Sequence, residues 1–354
     1  MSDQLQPFRE AIDSIDKQII DLLAKRYEQV AEIGKIKHSL KMPVYVPERE
    51  KALMKKLLDY NNCRLDENTV RAIYREIISG AIRTEQVLKV AFLGPKGTFS
   101  HQALMQHFGH GVEAIPCHSI IEALHSVEKG LTDFACVPVE NAVEGVVNQT
   151  LDTLRELDLR ITAEFNIRIS HYLLSNYAFE KIKIVYSHPQ ILGQCRKFLA
   201  EKLPDITTIE CSSSVSAIEA AIHSPESAAI AGNAAIDMSG LNVIAEHIED
   251  HPRNSTRFLI VGKQSVKATG NDKCSICFVL QDRSGALFDA LKPLQENNIS
   301  MSMIESRPFS TTGQYCFFVD IDGHADTPEI AAALTEIKNN SSFFKILGSY
   351  PKQK

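Results

Sequence analysis

The chain has 354 residues, of which 44% are hydrophobic and 23% charged, a composition typical of proteins with buried cores. This length predicts two or three domains. The net charge of −6 gives no sign of a nucleic-acid-binding surface, so any bound anion must be held by local cations. No run of about 18 apolar residues predicts a membrane span. The polar N-terminal sequence lacks a secretory signal, and we expect a cytoplasmic protein.

The eight cysteines are scattered along the chain, and we expect them to be free thiols in a reducing compartment. One Cys-x-x-Cys spacing occurs, at Cys274 and Cys277, inside the alternating apolar segment CSICFVL. A metal site needs further ligands, and no second pair accompanies this one. We therefore predict a buried strand at this place and expect neither a metal nor a cofactor.

Helical periodicity extends over residues 5–86, with a first helix over about 5–40, a second over 48–60 and a third over 66–86. Prolines 43 and 47 end the first helix, and Asp66 is placed to cap the third. A helix of the first one's length spans roughly 50 Å, which is too long for one small globular domain. We expect a second chain to bury its apolar stripe.

Cations lie on the apolar face of this first helix. At about 100° per residue, Arg26 and Lys37 fall near the centre of the stripe that Ile19 marks, and Arg9 falls at its edge. Two interpretations are open. The aliphatic parts of these Arg and Lys side chains are buried while their charged ends reach water, or the cations belong to an ionic network. The other two helices favour a network, because they direct further charged side chains toward the same interior. These side chains are Arg49, Glu50 and Glu85.

The segments FREAIDSIDKQIIDLLAKR, EIGKIK and PEREK resemble the all-helical chorismate mutase family over nearly the whole helical part of the chain. The resemblance implies an interlocked helical dimer in which Arg9 completes the site of the partner chain. It also implies that Arg26 and Lys37 bind the carboxylates of chorismate. Glu50, beside Arg49, matches the residue that binds the substrate's hydroxyl. The rearrangement needs no nucleophile, so cations that clamp the reactive conformer serve it well.

Donors to the ether oxygen of chorismate complete the predicted chemistry, because negative charge grows there in the transition state. We expect Lys37 and Glu85 to supply them. Three positions depart from a common family pattern: Val46, Ala81 and Glu85 stand where Asp, Ser and Gln are frequent. A glutamate donates a hydrogen bond only when it is protonated, so we hypothesise that burial keeps Glu85 neutral.

From residue 87 onward, short apolar strands alternate with helices, as in α/β proteins. Polar stretches follow the strands, and open α/β sheets bind ligands at such places. The stretches are GPKGTFS, VPVENAVEGVV, YSHPQILGQC, ECSSSVSA and NSTRF. Ser, Asn and Asp before a helix often serve only as caps, but this number of polar loops also predicts a binding site.

These loops resemble prephenate dehydratase over residues 90–262, with TRF as the most specific motif. The resemblance implies two α/β lobes of the periplasmic-binding-protein type, and the conversion of prephenate to phenylpyruvate with loss of carbon dioxide and the ring hydroxyl. It implies that Thr256 acts on the leaving hydroxyl, and we expect Arg257 to bind a carboxylate. The other predicted substrate-binding residues carry neutral hydrogen-bonding groups: Thr98, Asn141, Ser187, Gln190, Gln194, Ser213 and Ser214.

The last segment has the order strand, helix, strand, strand, helix, strand, which is ferredoxin-like. It resembles the ACT domain, whose GALF and ESRP motifs line a phenylalanine site in proteins of the aromatic pathway. The resemblance implies feedback inhibition through an effector site, usually at an interface between two such domains. The predicted effector-binding residues are Gly285, Ala286, Leu287, Glu305, Ser306, Arg307 and Pro308.

The three predicted domains cover residues 1–88, 89–265 and 272–354, joined in the last case by the polar linker QSVKATGND. The whole chain thus resembles a multidomain, bifunctional chorismate mutase–prephenate dehydratase that forms a homodimer or a larger homo-oligomer. Two alternatives stay open. A non-catalytic sensor leaves the inward-facing cations unexplained. A mutase fused to a prephenate dehydrogenase would need the glycine fingerprint of a dinucleotide site, which the sequence lacks.

Overall fold

A computed structural model describes residues 5–309 and 313–353, apart from the side chains of residues 237 and 238. The chain forms two compact units. The first contains residues 5–46, 54–88 and 108–113, and the second contains residues 47–53, 89–107 and 114–353. Within the described ranges, no helix combines the length and the apolar character needed to cross a membrane.

The N-terminal part of the chain is helical, as predicted. Its helices are α1 (Gln6–Ser39), α2 (Pro47–Asn61) and α3 (Glu67–Glu85). Asp66 caps α3, because its carboxylate accepts a hydrogen bond of 3.1 Å from the backbone N–H of Thr69. Pro47 is the first residue of α2, a position where the missing N–H leaves no hydrogen bond unmade.

Helix α1 has no buried side chain among the described residues of this single chain. Its apolar side chains Ile12, Ile15 and Leu22 are 56%, 54% and 64% exposed. Contiguous apolar surface of this kind marks an interaction site in a soluble protein. The exposed stripe agrees with the expectation that α1 is not covered by its own chain.

Two α/β lobes follow. The first lobe contains the strands β1 (Lys89–Leu93), β2 (Glu113–Cys117), β3 (Phe134–Asn141), β4 (Gly145–Val146), β5 (Arg160–Arg168) and β11 (Ser255–Gly262). The second lobe contains the strands β6 (His171–Ser175), β7 (Ile184–Ser187), β8 (Thr207–Glu210), β9 (Ser227–Gly232) and β10 (Asn242–Ala245). The helices of these lobes are α4 (Phe99–Phe108), α5 (Ile120–Glu128), α6 (Asn148–Glu156), α7 (Pro189–Gln194), α8 (Arg196–Lys202), α9 (Ser214–His223) and α10 (Ile236–Ser239).

The sheet of the first lobe has the strand order β2-β1-β3-β11-β5, with β4 paired to β3, and that of the second has the order β10-β6-β9-β7-β8. The chain passes to the second lobe after β5 and returns before β11. Two α/β lobes joined by two crossing segments form the periplasmic-binding-protein type of fold, so this prediction is confirmed. The outward and return crossings leave a cleft between the lobes.

The C-terminal segment forms the predicted ferredoxin-like order, with β12 (Asp272–Val279), α11 (Ala286–Glu296), β13 (Met301–Pro308), β14 (Tyr315–Asp322), α12 (Pro328–Asn339) and β15 (Phe343–Pro351). Its antiparallel sheet has the order β13-β14-β12-β15. Cys274 and Cys277 point to opposite faces of β12, since they belong to two different core clusters. The two thiols therefore cannot share a metal ion.

The predicted linker between the second and third domains is ordered rather than flexible. Val266 is buried, and the Asp272 carboxylate accepts hydrogen bonds from the backbone N–H groups of Thr269 and Gly270, at 2.7 and 3.0 Å. The ferredoxin-like segment and the two lobes accordingly fall in one compact unit. The domain boundaries themselves stay predictions.

Four charged side chains, which we call the charge cluster, are buried or nearly buried where the ferredoxin-like sheet meets the first lobe: Arg257, Glu164, Lys273 and Asp320. Arg257 Nη2 lies 2.6 Å from both Glu164 Oε2 and Asp320 Oδ2. Lys273 Nζ lies 2.8 Å from Glu164 Oε2, and the Tyr350 hydroxyl lies 3.1 Å from Arg257 Nη2. The contacts of Arg257 with Asp320 and of Lys273 with Glu164 join the first lobe to the ferredoxin-like sheet and would be lost if the two surfaces separated.

Replacing one anion of the charge cluster should destabilise the second unit. Asp320→Asn leaves Arg257 and Lys273 buried against a single carboxylate, and we expect the free energy of unfolding in urea to fall by about 3 kcal/mol. Glu296→Gln is the matched control. Its ion pair with Lys292 is exposed, so the change should stay below about 0.5 kcal/mol. Equally small effects would show that the cluster does not stabilise the unit.

Candidate active sites

The predicted cations of the first helix lie along α1. Arg26 is half-buried, and its Nη1 atom is buried without a hydrogen-bond partner among the described residues. Arg9 lies in the first turns of α1 and is exposed. A buried guanidinium nitrogen without an acceptor is costly. Such an atom is expected where an anionic ligand binds.

Lys37 and Glu85 meet between α1 and α3. Lys37 Nζ lies 3.1 Å from Glu85 Oε2 and donates to the carbonyl oxygen of Val44, also at 3.1 Å. The Glu85 side chain is 8% exposed. Gly34 makes room for it, because a Cβ at position 34 would stand 3.1 Å from Glu85 Cγ. The structure thus brings together the two residues that the sequence assigns to the ether oxygen.

This contact bears on the hypothesis for Glu85. The carboxyl group of Glu85 lies within ion-pair distance of the Lys37 ammonium group. A proton on Glu85 is required only when an oxygen of the substrate stands against it. The hypothesis of a protonated Glu85 therefore concerns the substrate complex, and it stays a prediction.

The remaining residues of the predicted mutase site, and the positions that depart from the family pattern, lie on α2 and α3 or next to α2. Arg49 and Glu50 belong to the first turn of α2, where Arg49 is exposed and Glu50 is half-buried. Val46 is the residue before α2, and its backbone takes the N-cap position. Ala81 is buried within α3 and offers no side-chain hydrogen bond.

Thr256 and Asn141 meet where β11 pairs with β3. Asn141 Nδ2 donates to Thr256 Oγ1 at 2.8 Å and to Asn254 Oδ1 at 3.1 Å. Because Thr256 accepts this bond, its own hydroxyl hydrogen is available to an oxygen of a ligand. Asn254 Nδ2 is buried without a hydrogen-bond partner among the described residues, so a second unpaired donor lies in the same group.

The loop after β3 carries Glu144 across the cleft. Asn141 Oδ1 shapes this loop by accepting from the backbone N–H groups of Val143 and Glu144, at 2.9 and 3.1 Å. Glu144 Oε1 accepts from Gln194 Nε2 at 3.0 Å, and Glu144 Oε2 accepts from Gln190 Nε2. Asn141, Gln190 and Gln194 therefore lie around one cleft, on both lobes.

His171 fixes the orientation of the Gln194 amide. Its Nε2 lies 2.7 Å from Gln194 Oε1, an oxygen that can only accept, so Nε2 carries the proton. Burial lowers the pKa of His171, against the opposing effects of Gln194 and Glu249, and the ring is neutral at pH 7. The amide of Gln194 accordingly turns its N–H groups toward Glu144.

The predicted hydroxyl ligands make hydrogen bonds within the fold. Ser187 is fully buried and donates to a carbonyl oxygen of β9 at 2.8 Å, and its contact with substrate stays a prediction. Ser213 caps α9 in a capping box, and Ser214 is the buried first residue of that helix. Thr98 donates to a carbonyl oxygen of its own turn at 2.9 Å. These contacts correspond to the capping interpretation of the polar loops.

Arg257 does not face the cleft with Thr256. The pleat of a strand sends neighbouring side chains to opposite faces, and the guanidinium of Arg257 lies in the charge cluster with Glu164 and Asp320. The donors of Arg257 are paired inside the protein, which gives no support to binding of a substrate carboxylate, and this role stays a prediction.

The predicted effector residues occupy a strand–helix junction and an edge strand. Gly285 precedes α11 with a φ of 79°, a conformation that favours glycine, and Ala286 and Leu287 begin the helix. Arg307 lies on the edge strand β13, and its Nη2 lies 3.0 Å from Asp152 Oδ2 on α6. The other three residues on β13 are Glu305, Ser306 and Pro308.

Two residues of the cleft were not predicted from the sequence. Glu144 stands three positions after Asn141, a spacing that lets an asparagine shape the loop, and this spacing is the available signal. Nothing in the sequence marks His171, because its contact with Gln194 joins residues 23 positions apart. In the described part of the chain, no group of three His, Cys, Asp or Glu side chains could hold a metal ion.

Three family models match the chain: chorismate mutase type II over residues 8–86, prephenate dehydratase over residues 90–266, and the ACT domain over residues 276–339. The bifunctional chorismate mutase/prephenate dehydratase of Aquifex aeolicus is 40% identical over 356 residues, which cover 99% of this chain and 98% of that protein.

Solved structures match three quarters of the chain. Prephenate dehydratase from Arthrobacter aurescens in complex with L-Phe is 36% identical, with a TM-score of 0.69, and the match covers 75% of this chain and 90% of that one. GqqA, a quorum-quenching acylase, is 26% identical with a TM-score of 0.68 over 75% of this chain and 98% of that one. The full-length match to the Aquifex protein and the order of the three family models show that this chain belongs to the bifunctional chorismate mutase/prephenate dehydratase family.

Proposed function

We propose that the two activities of this family are divided between the helical segment, which converts chorismate to prephenate, and the two-lobed segment, which converts prephenate to phenylpyruvate. The contact of Asn141 with Thr256 at the cleft carries the dehydratase assignment. The resemblance to GqqA shows that the fold of the lobes hosts another activity, so the proposal depends on side chains and not on fold alone.

In the mutase site, Arg26 and Lys37 bind the carboxylates of chorismate. The buried, unpartnered Nη1 of Arg26 supports this role. Glu50 binds the substrate's hydroxyl beside Arg49, and Arg9 reaches the site of a partner chain. Fixed cations hold the substrate in the conformer that rearranges, and the site needs no nucleophile.

The protein forms a homodimer through α1. The exposure of its apolar stripe supports this proposal, because Ile12, Ile15 and Leu22 gain from being covered by a second copy of the same helix. The eight cysteines are all free thiols in the structure, which supports a place in the cytoplasm, where thiols stay reduced.

In the dehydratase site, Thr256 donates a hydrogen bond to the ring hydroxyl of prephenate as that group leaves. The ring carboxylate departs as carbon dioxide, and its bonding electrons make the ring aromatic. The hydroxyl leaves with the electrons of its C–O bond and takes up one proton from the solvent to form water. Asn141 is the positioning residue, since its amide holds Thr256 Oγ1 and leaves the hydroxyl hydrogen to the substrate.

Phenylalanine acts as the effector at the ferredoxin-like segment. The similar Arthrobacter enzyme is complexed with L-Phe. The contact of Arg307 with Asp152 supports a route from the effector motif to the first lobe. Binding that prefers one arrangement of this interface shifts the enzyme toward a less active state.

One assay tests both activities and the role of Thr256. The full-length protein should form phenylpyruvate from chorismate without any nucleotide, which a mutase–dehydrogenase or a non-catalytic sensor would not do. Thr256→Ala should lower the dehydratase rate at least about a hundredfold and leave prephenate formation unchanged. Thr256→Ser keeps the hydroxyl and should retain activity. Loss of both activities in a folded Thr256→Ala protein would contradict the separation of the sites.

The pH dependence of the mutase tests Glu85. Glutamate donates to the ether oxygen only when protonated, so mutase activity should fall as pH rises. Glu85→Gln donates at every pH and should flatten this fall, while the dehydratase rate of the same protein serves as the control. A pH profile that the substitution leaves unchanged would contradict the proposed donor role.

Calorimetry tests the effector site. The dimeric full-length protein should bind L-phenylalanine, and Gly285→Ala should weaken binding about tenfold, because alanine disfavours the positive φ there. Gly270→Ala is the matched control: its φ of 84° is similar, and at both positions a Cβ would meet nothing within 4 Å. Absence of binding by the folded wild-type dimer, or equal weakening by both substitutions, would refute the assignment.

A further inference from the structure

Gln190 and Gln194 form a receptor for a carboxylate group. They lie four residues apart on α7, on one face of the helix. The Nε2 of Gln194 donates to Glu144 Oε1 at 3.0 Å, and the Nε2 of Gln190 donates to Glu144 Oε2. Each oxygen of one carboxylate thus receives one amide donor, and we call this arrangement the amide pair.

The amide pair is oriented in advance. His171 is neutral and holds Gln194 Oε1 from the opposite side, so the N–H groups of Gln194 must turn into the cleft. The Glu144 loop is shaped by Asn141, which also contacts Thr256. The carboxylate on the amide pair is therefore connected through one side chain to the proposed catalytic hydroxyl.

Glu144 is held only by neutral groups. It is exposed, and no Lys or Arg of the described ranges forms an ion pair with it. Hydrogen bonds from neutral amides contribute little net stability at an exposed position. An incoming carboxylate with further contacts in the cleft can therefore replace Glu144, because two carboxylates held side by side repel each other.

We propose that the amide pair is the subsite for the side-chain carboxylate of prephenate, and that Glu144 is an internal ligand which the substrate displaces. This inference rests on the dehydratase activity proposed above. It assigns to neutral amides the role that the sequence suggested for Arg257, whose donors lie in the charge cluster.

The side-chain carboxylate fits this subsite better than the ring carboxylate. Donors that grip the ring carboxylate would stabilise the ground state of the group that must leave as carbon dioxide, and this would slow the reaction. The side-chain carboxylate survives in phenylpyruvate, so the product occupies the same subsite and competes with Glu144 in the same way.

Steady-state kinetics of the full-length protein with prephenate test the inference. Glu144→Gln and Glu144→Ala should lower KM about fivefold, the factor expected from removing one negative charge about 4 Å from another in a water-like medium. The inhibition constant of phenylpyruvate should fall by a similar factor, with kcat little changed. The gain should shrink at high salt, because salt screens exposed charges. In the Glu144→Ala protein, Gln194→Met should raise KM again.

Glu201→Gln is the matched control, since it removes an exposed carboxylate of the same lobe on α8 and should leave KM unchanged. A higher KM or a lower kcat in Glu144→Gln would overturn the inference, because the contact of Glu144 between the lobes would then be needed for catalysis. An unchanged KM would overturn it as well. Failure of the wild-type protein to turn over prephenate would instead contradict the proposed function, and circular dichroism melting verifies that each variant is folded.

Discussion

The ion pair between Arg257 and Asp320 connects the ferredoxin-like sheet to the strand that carries Thr256. Thr256 and Arg257 are neighbours on β11, and the pleat of the strand turns one to the cleft and the other to the charge cluster. Glu164 and Lys273 complete a set of two cations and two anions that neither surface could bury alone. A displacement of the ferredoxin-like sheet is therefore opposed at the residue next to the proposed catalytic threonine.

A second set of contacts reaches the same cleft through α6. Lys345 Nζ donates to the carbonyl oxygens of Leu154 and Arg155 at the end of this helix, at 2.8 and 3.1 Å, and Arg307 contacts Asp152 one turn earlier. The helix is preceded by the short strand β4, which follows Glu144 in the chain. The edge strand with the proposed effector motif is thus linked mechanically to the loop that reaches across the cleft.

The helical segment follows a different principle. The site that we propose there contains cations whose burial is unfavourable without a bound anion, as the unpartnered Nη1 of Arg26 illustrates. Without a ligand, the ammonium group of Lys37 contacts the Glu85 carboxyl group and donates a hydrogen bond to the carbonyl oxygen of Val44. An internal carboxylate therefore holds a donor in both proposed sites, Glu85 in one and Glu144 in the other.

The order of helices and strands could be predicted from the amino-acid sequence, because helical and strand periodicities are local properties of neighbouring residues. The sequence also predicted Thr256 and Asn141 as site residues, since they stand in short motifs at strand ends. The position of Arg257 in the charge cluster, the burial of Ser187 and the contact of Glu144 with Gln190, 46 positions away in the chain, emerged only from the folded structure. These outcomes depend on which strands pair and on which face each side chain takes, and both are set by contacts between residues far apart in sequence.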